Sequence, residues 1–201
     1  MKTLYTNIAK PLLDYVTIIT LSPLWIPLML AISLIVKLTS KGPIFFKQKR
    51  IGKNKNHFTM LKFRTMKTDT PKDTPTHMLE NPEKHITKTG KLLRKSSLDE
   101  IPQILNILAN HMSIIGPRPA LWNQDDLISE RDKYGANNIR PGLTGWAQVN
   151  GRDELPIDVK AKYDGEYCEK ISFRLDVKIL LLTIRNVFKS EGVVEGGSTF
   201  K

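Results

Sequence analysis

Cysteine, early acidic residues and clustered histidines are what this sequence is short of. A single cysteine, Cys168, in 201 residues excludes an internal disulfide framework and suits a reducing compartment. Residues 1–68 hold one acidic side chain, Asp14, against twelve Lys or Arg. The rest of the chain carries equal numbers of each sign, so the whole net charge of +11 sits in the first third. The histidines, His57, His77, His85 and His111, lack the grouping of zinc ligands and read as surface or local structural residues. Neither a Walker lysine motif nor a dinucleotide fingerprint occurs. The length suits one domain with an appendage, and 40% hydrophobic with 25% charged residues excludes wholesale disorder.

What the first third does have is grease followed by positive charge. From Tyr15 to Val36 there are 22 residues without a charge. At about 1.5 Å rise each, that is long enough to cross a hydrocarbon core of about 30 Å. The stretch exceeds a signal-peptide core and is followed by Lys37 and Lys41, so retention in a membrane is expected rather than cleavage. Ser22-Pro23 and Pro27 lie near its middle. A proline lacks an N–H and crowds the carbonyl four residues back, which predicts a kink, with Ser22 able to bond a freed carbonyl. Positive flanks on both sides favour a helix that dips in and returns, while a kinked single span fits the residues equally well.

Residues 41–67 contain nine Lys or Arg and no acid. Next to an apolar segment, such a cluster is drawn to anionic headgroups at about 1 kcal/mol per residue. Tethering and the balanced remainder argue against nucleic acid as the partner. Within the run, Ile44–Ile51 reads as a strand, Gly52–Asn56 as a turn and Phe58–Thr65 as a returning strand. The period of two places Lys62 and Arg64 on one face, facing either phosphate or solvent. Residues 67–90 read as a long surface connection or flap with a short helix near Met78.

The sequence Lys91–Gln103 leads into apolar positions Ile101, Ile104, Leu105, Leu108 and Met112 at helical spacing, with Asp99, Glu100 and Pro102 at the entrance. An ordinary capped helix start accounts for these residues. So does a carboxylate site, because a helix N-terminus favours an ionised acid and attracts phosphate, and Arg94 lies within reach to neutralise a diphosphate. A carboxylate can attack phosphorus to give an acyl phosphate, and magnesium would offset the repulsion of the two anions. Gly116-Pro117-Arg118-Pro119 displays Arg118 from stiff backbone. Residues 140–152 set glycines between Arg140 and Arg152, allowing close backbone approach. Trp146 stacks on a ligand or, more commonly for tryptophan, anchors a core or interface. Near the end, Val177, Leu180, Leu181, Ile184, Val187 and Phe188 form one face of a basic amphipathic helix, fit for the headgroup plane or for a core.

Together, Ser22-Pro23, Lys62–Met66, Leu93–Gln103, Ser113–Pro119, Arg140–Arg152 and the Leu175-Asp176 region resemble the bacterial monotopic phosphoglycosyl transferases over nearly the whole chain. The resemblance implies an α+β monotopic membrane protein. Residues 1–39 would form a re-entrant, Ser-Pro-broken helix and anchor; residues 40–201 would form a catalytic domain with a small β-hairpin and amphipathic interfacial helices. The implied location is the cell membrane, on the cytoplasmic face of the inner leaflet. It implies transfer of a sugar 1-phosphate from a UDP-sugar to polyprenol phosphate, with release of UMP through a covalent intermediate, to initiate surface-glycan assembly. By position, Asp99 would be the nucleophile and Glu100 its partner, both in the environment of Mg2+. Lys62, Arg94, Arg118, Arg140 and Arg152 would bind substrate, and Asp176 would be a further functional acid. Membrane lipid is an implied partner, a homo-oligomer remains open, and the sugar is not identified. Lys10-Pro11 replaces the two adjacent basic residues often found there, so anchoring would rest on Lys2 and Lys10. The rival readings are a catalytically silent membrane scaffold and a glycosyltransferase that releases UDP.

Overall fold

The computed structural model describes residues 2–71, 82–151 and 155–189. A short helical turn (Lys2–Leu4) and a π-helical turn (Tyr5–Ala9) lead into helix α1 (Lys10–Thr20), and α2 spans Ser22–Thr39. The interruption falls at Leu21, one residue ahead of Ser22-Pro23, where Pro23 has no N–H to continue the ladder. Pro27 sits inside α2 without ending it. The expected Ser22 bond is replaced by a different one: the Trp25 indole Nε1–H donates to the Ile18 carbonyl at 2.9 Å, clasping the two helices across the break. Trp25→Phe keeps the ring but removes this donor, so it should cost about 1 kcal/mol, read as an earlier thermal melt of the full chain in micelles. α2 is the described helix long and apolar enough to cross a membrane. Leu24, Leu30, Leu34 and Leu38 stand exposed, while Ile32 and Val36 are buried against Phe63 and Leu93.

Strands β1 (Phe45–Ile51) and β2 (His57–Phe63) form an antiparallel hairpin with Phe45 opposite Phe63 and Ile51 opposite His57. The period of two holds, and it decides where Lys62 points. Phe58 and Met60 share its face and are buried against Ile18, Ile107 and Met112, so Lys62 looks into the domain rather than into solvent. Beyond the hairpin, Met66 bridges Ile86 and the Lys67 N–H donates to the His85 carbonyl at 2.8 Å, tying together the two ends of the connection. The helix expected near Met78 lies outside the described residues. A short helical turn, Pro82–His85, precedes α3 (Lys88–Lys95).

α4 covers only Gln103–Leu108. It is braced on β2 by Asn106, whose side chain accepts the Leu61 N–H at 2.9 Å and donates to the Thr59 carbonyl at 2.8 Å. Met112, expected on this helix, lies past its end and is fully buried. Strand β3 (Ser113–Ile115) pairs in parallel with β4 (Gly142–Thr144), and α5 (Asp125–Asp132) lies between them in sequence. α6 (Trp146–Val149), α7 (Ile157–Lys170) and α8 (Phe173–Lys189) complete the chain. The mixed helix-and-sheet class therefore holds, with two two-stranded sheets among the described residues. On α8 the side buried in the protein holds Asp176 and Ile179, whereas Phe173, Val177, Leu180, Leu181, Ile184 and Val187 are exposed. The sequence-defined apolar face thus does not pack in the domain core.

Candidate active site

Asp99 and Glu100 lie in a 3₁₀ turn, Leu98–Glu100, ahead of α4. The residue before the turn, Ser97, has φ 55°, a left-handed conformation that costs a side-chain-bearing residue about 1–2 kcal/mol. This reversal lets the chain leave α3 and bring both carboxyls beneath β2. Asp99 is therefore not a helix cap: Pro102 occupies the N-cap of α4, and among the described residues no amide donates to the Asp99 carboxyl. Ser97→Gly should relieve the strain and stabilise the protein by roughly 0.5–1 kcal/mol, visible as a higher melting temperature.

Glu100 is held from two sides. Lys62 Nζ donates to its Oε1 at 2.7 Å from β2, and Arg118 Nη2 donates to the same oxygen at 2.9 Å from the loop after β3. Burial alone would push the Glu100 carboxyl up, but Arg118 and Lys62 together outweigh it and hold the group well below the usual carboxylate range. For neighbouring Asp99 the balance is reversed. Burial pushes its carboxyl above the ordinary value and the Glu100 charge adds to the effect, against the pull of Lys62, Arg94 and Arg118. Asp99 is only 7% exposed, close to three cations but engaged in hydrogen bonding by none of them. Such a carboxylate is weakly solvated and therefore nucleophilic. Burial likewise lowers Lys62, although the Glu100 charge favours its protonated form.

Arg118 is positioned by backbone contacts. The Pro119 carbonyl accepts from Arg50 Nη1 at 2.9 Å, and the Ile51 N–H donates to the Ala120 carbonyl at 2.9 Å, pinning the loop to β1. On its other side the Gly142 N–H donates to the Pro117 carbonyl at 2.9 Å. The glycines of residues 140–152 do allow close approach, but at Gly142 and Gly145 the neighbour is the backbone of Gly116 rather than a ligand. Arg94, from α3, donates its Nε to Thr65 Oγ1 at 2.9 Å.

Five residues singled out in the sequence thus converge: Asp99, Glu100, Lys62, Arg94 and Arg118. Others go elsewhere. Arg64, sharing a face with Lys62 in sequence, lies past the end of β2 and donates to the Ser40 carbonyl and hydroxyl at 2.8 and 2.6 Å, so the two cations do not form a pair. Asp176 is buried on α8, accepting from Lys10 at 2.5 Å, Tyr5 at 2.7 Å and Tyr167 at 2.7 Å. Lys10 is accordingly committed to an ion pair and is not available to headgroups as expected. Arg140 bonds Asn110. Arg152 lies outside the described residues. Trp146 packs in a core, its indole bonded to Glu166 at 3.1 Å, the commoner of its two expected roles.

Sequence reasoning passed over Asn106, Thr65 and the second internal tether, Asp14, which accepts from Ser113 Oγ at 2.6 Å and from the Ile114 N–H at 3.3 Å. Two of them did carry a signal: Asn106 is the polar residue in an otherwise apolar run, Ile104–Leu108, and Asp14 is the lone acid of the first third. As for a metal, among the described residues no group of three or more His, Cys, Asp and Glu gathers. Magnesium, however, usually takes only one or two carboxylates and completes its shell with phosphate oxygens and water. Both bonds to Glu100 end on Oε1, leaving Oε2, and no described residue donates a hydrogen bond to the Asp99 carboxyl, so the pair fits such an ion.

A family model described as bacterial sugar transferase matches residues 5–190. The uncharacterized sugar transferase EpsL of Bacillus subtilis is 43% identical over 159 residues, covering 79% of this chain and 77% of that protein. The UDP-glucose:undecaprenyl-phosphate glucose-1-phosphate transferase of Caulobacter vibrioides is 35% identical over 200 residues, covering 92% of this chain and 72% of that protein. A protein of the same name from Xanthomonas campestris pv. campestris is 41% identical over 187 residues, 89% of this chain, yet this chain spans only 38% of its length.

Proposed function

The chain belongs to the bacterial sugar transferase family, and from that premise we propose that it moves a sugar 1-phosphate from a UDP-sugar to polyprenol phosphate, releasing UMP, to initiate surface-glycan assembly. The observation that carries this reading is the asymmetry of the dyad. Glu100 is pinned between Lys62 and Arg118, while Asp99 beside it is buried, close to the same cations and without a hydrogen-bond donor among the described residues.

An Asp99 oxygen attacks the sugar-bearing phosphorus of the UDP-sugar. The bond from that phosphorus to the bridging oxygen breaks, and UMP leaves with the electron pair. The enzyme is then an acyl phosphate ester of the sugar. A phosphate oxygen of polyprenol phosphate next attacks the same phosphorus, the bond to Asp99 breaks, and the carboxylate is restored with a polyprenyl diphosphate sugar as product. Lys62, Arg94 and Arg118 are placed to meet the negative charge that shifts to the leaving oxygens. Asp99 and Glu100 would hold Mg2+, which when bound would supply positive charge against the diphosphate.

The lipid substrate requires the dyad to lie at headgroup depth. We place residues 1–39 as a re-entrant anchor broken at Leu21, and the domain from residue 40 onwards on the cytoplasmic face. The apolar face of α8 then lies in the interface plane. The experiment is a screen of UDP-sugars with polyprenol phosphate and Mg2+, following the released nucleotide. UMP supports the proposal, UDP would indicate transfer of the sugar alone, and no turnover with any donor would leave a scaffold.

A further inference from the structure

A cavity of about 400 Å³ opens at the far end of the hairpin from the dyad, walled by Thr6 and Asn7 of the N-terminal turn, Lys53 of the hairpin turn, Asn138, Arg140 and Cys168. β2 alone carries the chain roughly 17 Å from His57 to Lys62 at about 3.4 Å per residue, and Lys53 lies beyond that end, so the cavity is not part of the Glu100 site.

Its chemistry is one-sided. Two cations line it and, among the described residues, no acid does. Among the described residues Lys53 enters no ion pair, and Arg140, whose charge also reaches the buried Asp14 carboxyl, makes its side-chain bond to the neutral amide of Asn110. The remaining polar wall is hydroxyl, carboxamide and the Cys168 thiol. Positive charge among neutral donors suits a phosphate, which brings several strong acceptor oxygens, and the volume leaves room for more than a bare ion. The N-terminal turn also fixes the depth of the cavity. Thr3 and Asn7, four residues apart, line it, whereas Leu4 and Ile8, on another side of the same two successive turns, are 63% and 61% exposed. A turn with its leucine and isoleucine among acyl chains holds its threonine and asparagine at the headgroups.

We propose that this cavity binds the phosphate of an anionic phospholipid headgroup, seating the start of the membrane helix at a fixed depth. The inference rests on the membrane placement of the N-terminal segment given above, but not on the chemistry at Asp99. It is tested by native mass spectrometry of the full chain in micelles supplied with phosphatidylglycerol, with phosphatidylcholine, or with inorganic phosphate alone. The wild-type chain should retain one phosphatidylglycerol in preference to phosphatidylcholine. Lys53→Glu, and separately Asn7→Asp, should each weaken that retention about tenfold or more. Both positions are exposed, so their melts should match the wild type. Equal retention of phosphatidylglycerol by the wild type and both variants, or equal retention of the two lipids, would overturn the proposal. Binding of inorganic phosphate without retention of either lipid would assign the cavity to a soluble anion instead. Because the readout is binding and not turnover, failure here leaves the transfer reaction untouched, and a silent enzyme that still retains the lipid leaves the cavity assignment standing.

Discussion

Asp99→Asn should lower UMP release by on the order of a thousandfold or more while the protein stays folded. The substitution is nearly isosteric, and the carboxylate it removes accepts no hydrogen bond from any described residue. Burial disfavours the charge and pushes the carboxyl up, so a neutral amide should leave the melting temperature level or slightly higher. The same pair of proteins gives a second readout. Incubated with the correct UDP-sugar but no lipid acceptor, the wild type should gain the mass of one sugar phosphate and Asp99→Asn should gain none. Activity of the variant within tenfold of the wild type would end the nucleophile assignment.

Gly142→Ala should have the largest effect on stability, on the order of 3–5 kcal/mol and a fall of about 10 °C in melting temperature. A Cβ at this position would lie 2.0 Å from the Gly116 nitrogen, 2.5 Å from the Thr144 carbonyl oxygen and 2.7 Å from the Gly116 Cα. Every one of those atoms is backbone, so no side chain can swing aside. The strands would have to part, losing the bonds from Ser113 N–H to the Pro141 carbonyl and from Gly116 N–H to the Thr144 carbonyl, both 2.8 Å. Arg118 follows directly after this pairing, so Glu100 should lose one of its two cations and turnover should fall along with stability. A melt within a degree or two of the wild type would show that β3 and β4 can separate at little cost.

The hairpin was legible because alternation over seven-residue strands is a local property. The Leu21 break was legible to within a residue because proline chemistry acts within one turn. The helix around Asp99 was less so. Apolar spacing suggested one amphipathic helix from Ile101 to Met112, but left-handed residues stand on either side, Ser97 before it and Asn110 just past its end, and the helix covers only Gln103–Leu108; neither reversal has a periodic signature. The partner of Lys62, Glu100, was equally hidden: strand alternation says that Lys62 and Arg64 share a face, but not that the strand ends between them.

The amino-acid sequence by itself determined the apolar segment, the basic stretch behind it and the adjacent acids, since composition, period and short motifs are set within a few residues. Only the tertiary structure decided which cations those acids meet. Lys62 and Glu100 are 38 residues apart and Lys10 and Asp176 are 166 apart, and bonds of such span exist only once packing has brought distant backbone together. That is why, among the described residues, Asp99 has no donor beside a pinned Glu100, and why Asp176 ties the first helix to the last instead of joining the two acids.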